Sequence, residues 1–425
     1  MFMVISQILS RKSSRMLPLL GNSTLGYFYI EAEVGSNRQR QSLIVDTGSY
    51  STIFDCAGCH LCNVHKDPIF DPSSSSTFKQ LTSDKSVNGW SCIASAAGQP
   101  NQLCEFEESY LEGSSYSGFM ASDVFLFANE TTSKRVNKNY KHIFGCAMTE
   151  TNEFFKQEAN GIMGLGLRRL PNYKPPTIVE VEFAEGRSVS QGFSICLGRN
   201  GGTLRFGEPN VELHLPGETR QTISSGKLRW TDIYSVGLNG ISIQNNKVDY
   251  DFSGLEENPG MAFFDSGTTY TYFSYELFDR WRNSFMEFCK KSKKNCAGIE
   301  EYVDCPNLPE DFASAQKALL TFPNATFSFT GGAKYVWHPK EYFENQDGRW
   351  CIGVKPLKDV ILGANFMANY DVFFDQGTQR VSFARANCSG DTDIWHTIVS
   401  NQEIVASVFI WMIPVGFFTL INIIF

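Results

Sequence analysis

Residues 43–49 read Leu-Ile-Val-Asp-Thr-Gly-Ser, and residues 262–268 read Ala-Phe-Phe-Asp-Ser-Gly-Thr. Both are an apolar run, an acid, a hydroxyl residue, glycine and a second hydroxyl residue. An apolar run that stops at Asp-x-Gly predicts a buried strand entering a tight turn, with the carboxylate at its rim. At average residue usage, two such strings arise by accident in about one chain of this length per hundred thousand. Two carboxylates on equivalent turns have the chemistry of an acid pair sharing one proton. Such a pair activates water without a Ser, Cys or His nucleophile.

The surroundings of the two copies match as well. Gly161-Ile162-Met163-Gly164 follows Asp46, and Val360-Ile361-Leu362-Gly363 follows Asp265 at a similar distance. The chain therefore reads as two related lobes, residues 20–215 and 226–388. An N-terminal segment, 1–19, precedes them. Strands are predicted at 26–35, 41–45, 141–146, 192–207 (a pair), 228–242, 246–252, 261–264, 324–329, 334–337, 350–354 and 381–383. Residues 104–127 predict a β-hairpin with its tip near Gly113. Residues 274–290 have helical spacing, with Phe278, Trp281, Phe285 and Phe288 on one face as core packing. The expected class is all-β and bilobal.

Composition narrows the setting. The 425 residues are 42% hydrophobic and 19% charged, with 35 Phe and 35 Gly, enough for sizeable cores. Net charge is −8 with no basic stripe, so nucleic acid is not an expected partner. Twelve cysteines spread over the chain point to an oxidising compartment and structural disulfides. Four Asn-x-Ser/Thr sequons, at Asn22, Asn129, Asn324 and Asn387, agree with secretory entry. Cys56, Cys59, His60, Cys62 and His65 are zinc ligands by type. However, no second pair stands at zinc-site spacing, so disulfides are expected, with no metal and no cofactor.

Residues 404–425 carry no charge and are long enough to span a bilayer. Small residues from Ser389, then a polar stretch to residue 403, then this apolar tail also match a cleaved lipid-anchor signal. Membrane attachment is expected either way, with 389–403 as a stalk. Residues 1–9 are apolar but short, and Arg11-Lys12 follow rather than precede them. That is a poor secretory signal, so either the true start lies upstream or the short run suffices.

With these motifs in place, residues 26–387 resemble the pepsin-type aspartic endopeptidases. Ile69-Phe70-Asp71-Pro72-Ser73-Ser74-Ser75-Ser76-Thr77-Phe78 resembles the nepenthesin-like branch. Cys56-x-x-Cys59-x-x-Cys62 with Val64-His65, Tyr110 to Ser114, Phe144-Gly145-Cys146 and Trp337-His338-Pro339 look more like the plasmepsin V-type, membrane-anchored proteases of the endoplasmic reticulum. The resemblance implies a monomeric protease acting on polypeptides, with Asp46 and Asp265 as catalytic pair. Thr47 and Ser266 would brace the two turns against each other, beside Gly48 and Gly267. Ser49 and Thr268 would bond the outer carboxylate oxygens. Gly164 and Gly363 would close the loops beneath the acids. Tyr110, Glu112 and Gly113 would belong to a flap over the cleft, Glu112 binding a substrate arginine. The favoured disulfides are Cys146–Cys196 and Cys305–Cys351. Cys92 and Cys104, with Cys56, Cys59 and Cys62, are left without assigned partners. Ile53 stands where many relatives have a tryptophan that bonds the flap tyrosine, and Leu111 where the plasmepsin V type has an unpaired cysteine. No long prosegment precedes Gly26, so autoactivation is not expected. A catalytically silent peptide binder is the alternative from another class, and a yapsin-like lipid-anchored protease the alternative in attachment.

Overall fold

The computed structural model describes residues 16–388 except 93–100, 128–140, 169–173, 224–232, 258–261, 293, 300–303, 310 and 347. The expected leader (to residue 15), stalk and terminal apolar segment lie outside the described residues. Among the described residues no helix is long and apolar enough to cross a membrane.

The two halves repeat one strand arrangement. Strand Gln39–Asp46 pairs in parallel with Gly161–Gly164, which pairs antiparallel with Thr52–Asp55, which pairs in parallel with Lys141–Glu150. In the second half, Ala262–Phe264 pairs in parallel with Val360–Leu362. That strand pairs antiparallel with Thr271–Ser274, which pairs in parallel with Val354–Leu357. The order and the senses are the same. In each half the acid thus sits where a buried strand ends beside the strand that returns beneath it. The fully apolar runs Leu43-Ile44-Val45 and Ala262-Phe263-Phe264 are what a strand covered on both faces requires.

Strands from both halves join in one sheet. Met16–Asn22 pairs with Gly201–Phe206. Beyond it follow Gly192–Gly198, Tyr370–Asp375, Arg380–Arg385 and Gln221–Ile223. The sheet therefore begins at Met16, earlier than the boundary read at residue 20: Leu17 and Leu19 alternate inward and are buried. The many phenylalanines fill the cores. Phe54 stacks on Phe144 at 4.5 Å and meets Phe70 edge-on, while Phe366 stacks on Tyr335 at 4.3 Å and meets Phe327 edge-on.

Some expectations need correction. The helix spans Tyr275–Lys290, but its buried row is Leu277, Trp281, Phe285 and Cys289, with Phe278 and Phe288 half-buried. The Cys289–Cys296 disulfide ties that row inward. Residues 246–252 form a strand only at Asn246–Lys247. The Asp251 carboxylate then accepts from the Ser253 N–H at 3.0 Å and starts helix Ser253–Glu257.

Cys146 does not bond Cys196. The parallel pairing of Phe54 with Cys146 brings Cys56 alongside, and the bond is Cys56–Cys146. Cys196 lies in the shared sheet and bonds Cys388, just past the neighbouring strands. The others are Cys59–Cys62, Cys92–Cys104 and Cys305–Cys351. With Cys56, Cys59 and Cys62 all in disulfides, none is a thiolate ligand.

A buried acid clamps this sheet. Asp371 accepts from Ser194 Oγ, Arg220, the Asn210 N–H and side chain (both 3.0 Å) and His214 Nε2 at 2.9 Å. Burial pushes its carboxyl up, but the bond from His214 and the charge of Arg220 outweigh it and hold the group below the usual range. A depressed carboxyl stabilises the fold above its unfolded value near 4, and that stability is lost as pH falls through the folded value. Asp371→Ala is expected to cost about 3 kcal/mol in urea unfolding at neutral pH, less at low pH.

Candidate active site

The two turns meet face to face. The Ser266 N–H donates to Thr47 Oγ1 at 2.9 Å, and the Thr47 N–H donates to Ser266 Oγ at 3.1 Å. Each hydroxyl in turn donates to a carbonyl before the opposite acid: Ser266 Oγ to Val45 O at 2.6 Å, Thr47 Oγ1 to Phe264 O at 3.2 Å. Both hydroxyl residues are buried, so the cross-brace works in a low dielectric, where such bonds are strong and costly to break.

Each carboxylate is held alike. Asp46 Oδ1 accepts from the Gly48 N–H at 2.8 Å and Oδ2 from the Ser49 hydroxyl. Asp265 Oδ1 accepts from the Gly267 N–H at 2.9 Å and Oδ2 from Thr268 Oγ1 at 2.6 Å. The acids are only 5% and 8% exposed. Each glycine sits against the opposite acid. A Cβ on Gly48 would lie 2.8 Å from the Asp265 carboxylate, and one on Gly267 2.7 Å from Asp46 Cγ and 3.3 Å from Asp265 Oδ1. Burial and the Asp265 charge raise the Asp46 carboxyl well above its usual range. The arrangement can hold one proton between two acids and offer both to one solvent molecule.

Beneath the acids, the Gly166 N–H donates to Ser49 O at 2.7 Å and the Ala364 N–H to Thr268 O at 2.8 Å. A Cβ on Gly164 would come within 2.6 Å of Ser51 N, and one on Gly363 within 2.8 Å of Thr268 O. Only glycine permits that approach.

The hairpin of Glu105–Ser109 and Ser115–Phe127 turns at Tyr110 to Ser114, with Gly113 at φ 89°. The half-buried Tyr110 ring meets Phe154 edge-on at 4.8 Å, in a cluster that includes Ile53. Its hydroxyl is buried beside Ser49, within reach of the Asp46 charge. Isoleucine at 53 offers no donor to it. Burial, then the Asp46 charge, keeps the phenol protonated, so it is a donor. Glu112 and Leu111 at the tip are exposed.

Sequence reading missed the root of this hairpin. Tyr50, just beyond the first acid turn, donates to Glu108 on the flap strand, and Lys174 donates to Tyr50. Lys174 also stands 3.9 Å over the Tyr50 ring. These residues are far apart in the chain and carry no motif.

Comparison with known proteins follows the same division of the chain. The model named xylanase inhibitor N-terminal matches residues 28–208, and xylanase inhibitor C-terminal matches residues 233–385. The chain is similar to plasmepsin V of Plasmodium falciparum, 25% identical over 85% of this chain and 70% of that one. It is similar to aspartic protease 5 of Toxoplasma gondii, 27% identical over 85% of this chain and 36% of that one. Nepenthesin-1 of Nepenthes gracilis is 26% identical over 85% of this chain and 78% of its own. The similarity runs through both halves, each with its own acid turn, and the chain therefore belongs to the pepsin-like aspartic proteases and is a peptide-bond hydrolase.

Proposed function

We propose that the chain is an endopeptidase in which Asp46 and Asp265 share one proton and activate a water molecule. The supporting observation is the meeting of two identically held carboxylates across a mutual hydroxyl brace. The ionised member takes a proton from the water as it attacks the scissile carbonyl, and the protonated member donates to the carbonyl oxygen. The roles reverse as the amine departs. Gly48, Ser49, Gly267 and Thr268 fix the carboxylate planes; Thr47 and Ser266 fix their separation. Tyr110 closes over the bound peptide, its hydroxyl offered to substrate.

The proposed setting is a membrane of the secretory pathway, by way of residues 404–425. A retained span resists phosphoinositide-specific phospholipase and needs detergent for extraction, whereas a lipid anchor is released by the enzyme. Glu112, exposed at the flap tip, is proposed to prefer a basic residue a few positions before the cut. Burial, then the Glu112 charge, raises the Tyr272 phenol of the second half, which supports this reading. Glu112→Ala is expected to lower kcat/KM for Arg-containing peptides about tenfold and leave neutral ones unchanged. Equal profiles from a peptide library would remove this role. For the activity itself, the test is hydrolysis of that library by the wild-type chain and its block by a statine-type inhibitor. Peptide binding without hydrolysis would favour the silent reading.

A further inference from the structure

Behind the flap lies a cluster that the proposed reaction does not use. Asp55 ends strand Thr52–Asp55, Glu150 ends strand Lys141–Glu150, and His65 follows the Cys59–Cys62 loop. His65 Nε2 stands 3.1 Å from Asp55 Oδ2 and 3.0 and 3.2 Å from the Glu150 oxygens. The three side chains are 1%, 2% and 0% exposed for Asp55, His65 and Glu150. We infer that Asp55, His65 and Glu150 form a site for one divalent cation of the Zn²⁺ type.

Four observations carry this. First, His65 Nδ1 lies 2.9 Å from the carbonyl of Gln157, which can only accept. Nδ1 therefore holds the proton, and Nε2 turns toward the two acids. That is the orienting bond a metal-bound histidine usually has. Second, Asp55 Oδ1 is buried and accepts no hydrogen bond, while Oδ2 faces only His65 Nε2, a costly state that a cation would relieve. Third, two carboxylates against one imidazolium leave a buried negative charge. A divalent ion with neutral imidazole cancels both acids. Fourth, the size fits: ligand atoms around a tetrahedral ion with bonds of about 2.0–2.1 Å stand about 3.3 Å apart. The three donor atoms all lie within 4.8 Å of one another and need only small adjustment.

The site differs from the cysteine-based one considered from the sequence, whose sulfurs are all held in disulfides. Its effect would be mechanical. Glu150 is paired with Tyr116, which stacks on Phe154 at 4.2 Å, and Phe154 is the wall against which Tyr110 rests. A cation here would pin the disulfide loop to the stem of the flap.

The test uses the purified full-length chain in detergent, without a histidine tag and under non-reducing conditions. It is treated with EDTA, desalted and then titrated with ZnSO₄. One zinc per chain after dialysis, a rise in melting temperature with added zinc, and the visible d–d absorption of Co²⁺ in place of zinc are expected. Asp55→Asn and His65→Gln should lose the stoichiometric metal and the zinc-dependent shift, Asp55→Asn melting near the metal-free wild type and His65→Gln below it because two buried acids are left without a cation. Wild-type chain that takes up no zinc and shows no Co²⁺ absorption would mean a buried ion pair only and overturn the site. So would Asp55→Asn and His65→Gln chains that bind zinc as well as wild type. The Co²⁺ spectrum of the wild type decides the matter even where a variant fails to fold.

Discussion

Asp46→Asn and Asp265→Asn are each expected to lower kcat/KM by about 10⁴-fold or more, with folding intact. Asn keeps the size and accepts the bonds from the Gly48 or Gly267 N–H, so geometry survives. It cannot exchange a proton with water or with its partner, so both acid and base roles fail. Asn stands in for the protonated member of a pair that carries a single charge, so each variant should melt near the wild-type temperature. A fall in activity matched by a fall in melting temperature would point to misfolding instead. The wild-type pH profile follows from the same pair. Activity needs one proton on the two acids. Burial and the Asp265 charge raise the Asp46 carboxyl, so the shared proton is kept above the ordinary carboxylate range and lost as pH rises through the raised value. The alkaline limb should therefore lie nearer neutrality than an unperturbed carboxylate would allow, measured as kcat/KM on one peptide across pH.

Gly267→Ala is expected to be nearly as damaging, with a loss of about 10²–10³-fold in kcat. Its methyl group would sit 2.7 Å from Asp46 Cγ, well inside contact distance. Something must give: either the Asp46 carboxylate swings out of line, or the second turn backs away and stretches the Thr47–Ser266 brace. A displacement of about 1 Å at reacting groups costs about 10²-fold. Gly48→Ala should act likewise, from the other side, on Asp265. Because KM reflects peptide binding along the whole cleft, the loss should fall on kcat rather than KM. An alanine variant with unchanged kcat would show that the carboxylates need not approach as closely as they do here.

How much of this was legible depends on how local each feature is. The turns around Asp46 and Asp265 are written in consecutive residues: the apolar run buries the strand, glycine permits the opposite turn to approach, and the hydroxyls bond their own acid. The strands returning beneath them were visible through the glycine echo, since Gly164 and Gly363 each end an apolar run. The hairpin tip at Gly113 was marked by its turn chemistry. What failed depended on register. Cys146 finds Cys56 because two strands far apart in sequence lie parallel with Phe54 opposite Cys146, and no composition rule reports that. On helix Tyr275–Lys290 the spacing finds Trp281 and Phe285 in the core, but Leu277 and Cys289, rather than Phe278 and Phe288, complete the buried row. Tyr50, Glu108 and Lys174, like Asp55, His65 and Glu150, are polar residues joined only by the fold.

The most direct measurement is a crystal structure of the chain with a statine-type peptide, whose central hydroxyl stands in for the attacking water. The expected result is that hydroxyl between Asp46 and Asp265, within about 3 Å of a carboxylate oxygen of each. An inhibitor hydroxyl that touches only one acid, or a peptide seated away from both, would contradict a shared-proton pair acting on one water.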